Sequence, residues 1–235
     1  MKKIGIIVFA LCIVIGLAFA NFFSFGRLTN RLFNISFDIG GRAVKGSGNI
    51  TTEKRELSGF KAIEVSGVFQ VEITAGKDYS VEVQADDNIL PLIQTRVSGE
   101  TLEVELEKKI STHNDLVVRV TVPNIERIEA TGASKVTASG IKNDVLSVDT
   151  SGASKVTLSG ETSRLTIDVS GASNIDAEQL NAVKADVDAS GASKVAVNVS
   201  SDLHTDASGA SRIVYSGEPK MVENRQSGAG SVTKK

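Results

Sequence analysis

The chain has 235 residues and a formal net charge of −2, enough for one sizeable domain with an appendage and without the charge excess that would attract a polyanion. No basic patch is interleaved with aromatic residues, which argues against nucleic acid as a partner, and tryptophan is absent while tyrosine occurs only twice, so the usual anchors of protein recognition are scarce. The one cysteine, Cys12, lies in an apolar leader, which rules out a disulfide framework or thiolate site within a folded domain.

Residues 1–25 open with Lys2 and Lys3 and then run apolar from Ile4 to Phe23. Two readings stand side by side. As a signal peptide the segment has a basic start, an apolar stretch and an Ala18-Phe19-Ala20 cleavage site. As a transmembrane anchor it has about twenty residues, enough to span a bilayer, with its lysines on the cytoplasmic side. Either reading exports the remainder of the chain. Residues 26–44 form a juxtamembrane or linker segment. Together with Phe22, Phe23 and Phe25 just before it, Phe33 and Phe37 suit contact with a bilayer surface, and Gly40 and Gly41 suit a linker.

From residue 45 onward the chain reads as all-β. The alternations Phe69-Val71-Ile73, Tyr79-Val81-Val83, Leu102-Val104-Leu106 and Leu116-Val118-Val120-Val122 predict strands with one buried face. Asp86-Asp87-Asn88 ahead of Ile89 and Leu90 predicts a capped helical turn cut short by Pro91. Residues 45–130 are expected to form irregular coils that lead into the regular array of residues 131–232.

In that array one phrase returns six times: TGASKV, SGASKV, SGASNI, SGASKV, SGASRI and SGAGSV. Its glycines are Gly132, Gly152, Gly171, Gly191, Gly209 and Gly228, about twenty residues apart. A fixed period of this size marks a solenoid, because one unit cannot bury its apolar face without a neighbour. Superposing the glycines aligns Val136, Val156, Ile175, Val195, Ile213 and Val232 in one apolar column, and Val148, Ile167 and Val187 in another, with Thr205 as its weaker member. The predicted fold is a single-stranded, right-handed parallel β-helix with coils of about twenty residues, climbing about 4.8 Å per coil. The glycine phrase is its corner, since only glycine takes positive φ without cost. A phosphate-cradling loop is disfavoured, because such loops precede helices and these precede strands.

Two charged columns flank the corner. Lys135, Lys155, Lys194 and Arg212 form a basic one, interrupted by Asn174; Asp149, Asp168, Asp188 and Asp206 form an acidic one, begun by Glu129. Like charges about 5 Å apart in water repel by about 0.8 kcal/mol, so each column is costly unless something offsets it. Mutual neutralisation of the two columns is one account; a contact surface for a ligand is the other. His113 and His204 stand far apart with no metal-ligand spacing near them, and no metal or cofactor is implied.

The run Leu57-Ser58-Gly59-Phe60-Lys61-Ala62-Ile63-Glu64-Val65-Ser66-Gly67, then Ala85-Asp86-Asp87-Asn88, Ser98-Gly99-Glu100-Thr101-Leu102, and the repeated corners ending in Tyr215-Ser216-Gly217-Glu218-Pro219 resemble the putative auto-transporter adhesin, head GIN domain family. The resemblance spans about residues 46–232. It implies an exported bacterial β-helix domain and supplies neither a ligand nor catalytic residues. Here most corners read Ser-Gly-Ala-Ser where the family favours Ser-Gly-Ala-Gly.

A catalytic reading fares poorly, because a general acid and a general base need unlike surroundings and a regular column offers like ones. The expectation is a non-catalytic module, membrane-associated through its first residues, that binds a cell-surface glycan, envelope polymer or protein. The alternatives are a structural or envelope-stress scaffold and, less favoured, a polysaccharide-active enzyme.

Overall fold

The computed structural model describes residues 43–235, and the expected leader and most of the juxtamembrane segment lie outside them. The described residues group as one compact unit. The first strands are β1 (Val44–Lys45), β2 (Ile50–Arg55), β3 (Ala62–Gly67), β4 (Phe69–Ala75) and β5 (Ser80–Asp86). A 3₁₀ turn at Leu90–Leu92 leads to β6 (Ile93–Ser98), β7 (Thr101–Leu106), β8 (Ile110–Ser111), β9 (Leu116–Val122) and β10 (Arg127–Gly132). Four long, bent strands follow: β11 (Lys135–Thr150), β12 (Lys155–Val169), β13 (Asn174–Ala189) and β14 (Lys194–Ala207). The chain closes with β15 (Arg212–Ser216), β16 (Met221–Gln226) and β17 (Ser231–Lys234).

The long strands stack in parallel, each pairing with the next along most of its length. Val136 faces Val156, which faces Ile175, then Val195, Ile213 and Val232. Val136 also faces Val71 of β4, and Val71 faces Val118 of β9, so the column extends two strands beyond the array. All but Val232 are fully buried, and their β-branched side chains suit the pleated inner surface. A second inward column joins Ile63, Ile128, Val148, Ile167 and Val187. It ends in polar residues: buried Thr205 donates to Asn224 Oδ1 at 2.8 Å. Each buried aliphatic side chain contributes roughly 1.5–3 kcal/mol before chain entropy is subtracted.

At the corners the backbone itself makes the contact. The Ala153 N–H donates to Gly132 O (2.8 Å), Ala172 to Gly152 (2.7 Å), Ala192 to Gly171 (2.8 Å) and Ala210 to Gly191 (2.7 Å). Each corner glycine has positive φ and sits directly over the previous one; a Cβ on Gly132 would lie 2.5 Å from Gly67 O, and one on Gly209 2.7 Å from Gly191 O. Both the backbone angle and the space therefore demand glycine. The serine that closes the phrase turns inward. Ser134, Ser154, Ser173, Ser193 and Ser211 are all buried. Ser134 Oγ donates to Gly67 O at 3.1 Å, and Ser211 Oγ to Ala189 O at 3.0 Å. Ser134 and Ser211 thus tie their corners to the turn beneath, whereas the buried Ser193 Oγ has no hydrogen-bond partner.

Three pairings depart from the expected parallel coils of residues 45–130. β2 with β5, β5 with β9, and β6 with β7 are antiparallel. The last is a hairpin: Ser98 pairs Thr101 across Gly99-Glu100, with Gly99 at φ +61°, and a glycine at the first central position suits such a two-residue turn. A further set of bends at Gly140 and Gly160, also at positive φ, lies within β11 and β12 where the sequence predicts no corner.

The expected cap at Asp86 has a different role. Ile89 precedes the 3₁₀ turn without a side-chain cap, and Pro91 occupies its start. Asp86 is fully buried and accepts hydrogen bonds from Gly48 N–H (2.8 Å), from Asn114 Nδ2 (2.8 Å) and from the Thr112 hydroxyl. Asp87 and Asn88 hold the same loop: Ser47 Oγ donates to Asp87 Oδ1 at 2.5 Å and Asn88 Nδ2 to Lys45 O at 2.8 Å. The three residues clamp residues 45–48 and 112–114 to the end of β5.

Two outcomes are expected. Gly171→Val, which meets both positive φ and the Gly152 backbone, lowers the melting temperature by about 5 °C or more, since backbone strain alone costs about 1–3 kcal/mol, while Thr166→Val on the exposed face changes it little; equal melts for both variants would contradict the corner assignment. Asp86→Asn destabilises at neutral pH. The hydrogen bonds from Thr112 hold the Asp86 carboxyl below its ordinary range, helped by those from Asn114 and Gly48 against the cost of burial, so its stabilisation is complete above the unfolded-state pKa and fades as pH falls through the folded one. Melting curves of the two proteins should therefore converge in acid.

Candidate functional site: a carboxylate ladder

The outward face of the stack carries the charged columns. Asp149, Asp168, Asp188 and Asp206 occupy paired register positions in β11 to β14, and Glu129 of β10 pairs Asp149. The row does not start there. Glu129 pairs Glu64 of β3, and Glu64 pairs Glu103 of β7, so seven carboxylates stand in consecutive register. Parallel neighbours lie about 4.8 Å apart. The sequence carries a cue for Glu64, which stands three residues before Gly67 as Asp149 stands before Gly152; Glu103 has no such glycine and is found only through the register.

Arginines close both ends. Arg96 of β6 contacts Glu103 at 2.5 Å and Glu105 at 3.0 Å. At the far end Arg225 of β16 takes the register position after Asp206 and reaches Glu223 at 3.6 Å. Hydroxyl-bearing residues border the middle of the row, with Thr131, Ser151, Ser170 and Ser190 two residues beyond the carboxylates and Ser147 and Thr166 two before. Small hollows open at its ends. One of about 210 Å³ lies among Glu64, Arg96, Glu103 and Glu105; another of about 200 Å³ lies among Asp186, Asp188, His204, Asp206 and Arg225.

The basic column is equally regular. Lys135, Lys155, Asn174, Lys194 and Arg212 stand in register and are all exposed. The two columns do not neutralise each other through direct contacts. Among the described residues no ion pair joins the acidic column to Lys135, Lys155, Lys194 or Arg212. Only Glu103 and Glu129 of the seven carboxylates are paired, Glu129 with Arg127 at 3.2 Å. The electrostatic cost is visible in the titration of the row. Partial burial, then Glu129 and Glu103, raise the Glu64 carboxyl above its ordinary range; partial burial, then Asp168 and Asp206, raise Asp188. His204, two residues before Asp206, sits 3.2 Å from Glu223, and His113 is exposed elsewhere.

A row of this kind can hold positive charge at evenly spaced, near-equivalent points. The basic column offers the complementary service on another face. Along its middle the acidic row offers like groups, and unlike ones meet at its far end, where His204, Glu223 and Arg225 stand beside Asp188 and Asp206.

A carboxyl whose folded pKa is raised opposes folding once ionised; that penalty is absent below the unfolded pKa and complete above the folded one. Asp188→Asn should accordingly raise the melting temperature at pH about 7, with the gain vanishing towards pH about 3. A variant less stable than the parent at neutral pH would show that Asp188 is held by attraction and not opposed by its neighbours.

Comparison with solved structures places the fold among similar chains. A "putative adhesin" from Bacteroides fragilis NCTC 9343 matches with a TM-score of 0.69 and 21% identity, covering 82% of this chain and 100% of that one. A "putative adhesin" from Parabacteroides merdae ATCC 43184 matches with a TM-score of 0.54 and 19% identity, covering 83% and 100%. A "putative lipid binding protein" from Parabacteroides distasonis ATCC 8503 matches at 0.50 and 17%, covering 83% and 100%. At these identities the likeness concerns the fold. No curated protein matches the chain. The family model for the putative auto-transporter adhesin, head GIN domain matches residues 59–219, from before β3 to beyond β15, and the chain belongs to that family.

Proposed function

We propose that this protein is an exported, non-catalytic binding module whose stacked turns wind as a right-handed parallel β-helix and whose carboxylate ladder contacts an extracellular or envelope partner. The observation that carries the reading is the ladder itself: seven carboxylates in register, five of them without an ion pair among the described residues, although a basic column stands on the same turns. A row that only served solubility would gain from intermixed signs, and this one is kept uniform at a cost in like-charge repulsion. Right-handed winding is the general preference of parallel crossovers. The apolar, lysine-led start of the chain favours export with the ladder outside the membrane, and membership in an adhesin family favours contact with a surface.

The partner that suits the ladder presents positive charge at intervals, as an amine-bearing envelope polymer or a basic protein segment does. Each contact is weak and exposed, so affinity accumulates along the row. Binding of the full chain to isolated envelope polymers tests this. Asp168→Asn alone should weaken binding slightly, because neighbours substitute for it, whereas the triple change of Asp149, Asp168 and Asp188 to Asn should abolish it. Higher stability of the triple variant with binding unchanged would leave the ladder a passive surface, and loss of a hydrolytic turnover from one substitution would make the protein an enzyme.

A further inference from the structure

One cavity touches none of the charged columns. It is an open groove of about 720 Å³ along a different bend of the turns, where β11, β12 and β13 pass from their central to their final straight runs. Its size falls within the range of ligand clefts, about 300–1,000 Å³. The bend is built from residues that lie outside or beside the ladder of paired positions. Asn143 pairs Thr162 and Val145 pairs Arg164, leaving Asp144 between them; Thr162 pairs Ala182 and Arg164 pairs Lys184, leaving Ser163 and Val183 between them.

Two features of the groove point to a ligand. Val145 and Val183 are 48% and 46% exposed, which sets two aliphatic surfaces in an otherwise polar cleft. Along it stand Lys142, Glu161 and Asn181, in register with one another, which together offer donors and acceptors of several kinds. Asn143, which also lines the groove, is held in place by donating through Nδ2 to Ile125 O. A second hollow of about 240 Å³ shares Asn124 and Lys142 with the groove and carries it on towards Gly140.

We infer that this groove is a saccharide subsite that takes a linear, uncharged glycan. Aliphatic surface interleaved with amides, hydroxyls and carboxylates matches the alternating C–H faces and hydroxyls of a sugar chain. An anionic chain would meet Glu126, Asp144 and Glu161 against Lys142 alone and be repelled. The continuation past Asn124 provides length for more than one sugar ring. The site is independent of the carboxylate ladder and stands or falls without it.

Titration calorimetry of the full chain with hexasaccharides of β-1,4-linked glucose and of N-acetylglucosamine tests the inference. At least one should bind saturably. The double variant Val145→Asp and Val183→Asp, at exposed positions of the bend, should weaken that binding at least about tenfold with the melting temperature retained. Should that variant misfold, Glu161→Lys provides the second measurement and should weaken binding in the same way. The triple Asp-to-Asn ladder variant should bind the hexasaccharide as the parent does. Failure of both hexasaccharides to bind, binding indifferent to the groove variants, or loss of saccharide binding in the ladder variant would each overturn the inference, and the first two would leave the ladder's test with envelope polymers untouched.

Discussion

The carbonyl of each corner glycine accepts a hydrogen bond from the alanine N–H one turn later, and the next glycine sits over it with no room for a Cβ. This backbone-on-backbone contact sets the vertical register of the whole stack. A strand one residue out of step would carry its inward side chains to the outside and its charges to the core. With the corner fixed, Val136, Val156, Ile175 and Val195 have no choice but to align. The hydrophobic column is thus a consequence of the glycine contact as much as a cause of stability. Inward Ser134 and Ser211 fasten their corners a second time, from within.

The register also explains the electrostatics. Whatever occupies one outward position is repeated about 4.8 Å above, so a sequence that keeps an acidic residue three before each glycine obtains a row of like charges. Partial burial, and after it the adjacent carboxylates, push Glu64 and Asp188 upward in pKa, although Arg127 and Arg225 pull the other way. The apolar interior holds the turns together strongly enough to tolerate that repulsion. Arg96 and Arg225 sit at the two ends, where the row would otherwise finish beside Glu105 and Glu223.

The corner glycines, the valine column and the aspartates of the array are legible in the sequence because each recurs at one offset from a repeated phrase. The parts that escape it lack that property. Gly140 and Gly160 bend their strands, yet Gly160 pairs Ile141 of β11 and Leu180 of β13, so no glycine column appears. Glu64 and Glu103 join the ladder across long stretches of non-repeating chain, and only strand pairing brings them to it. The β6–β7 hairpin is announced by Gly99-Glu100, a short-range signal overshadowed by the expectation of continuous parallel coils. Asp86 resembles a helix cap by its neighbours, but its partners Gly48, Thr112 and Asn114 are distant in sequence. The groove residues change from turn to turn, with Asp144, Ser163 and Val183 at equivalent places, and so leave no periodic trace.

Because the corner contact involves only the turn immediately below, a turn is a unit that can be gained or lost whole. Inserting one twenty-residue segment between Gly152 and Gly171 would leave every existing glycine over a glycine and every valine over a valine, and would add one rung to each outward row. The reach of the protein's charged face is therefore set by a count of segments and not by the chemistry of any one of them. Unequal duplication within the gene would alter the span of that face, while point changes at the bends, where no two turns agree, would leave the rows as they are.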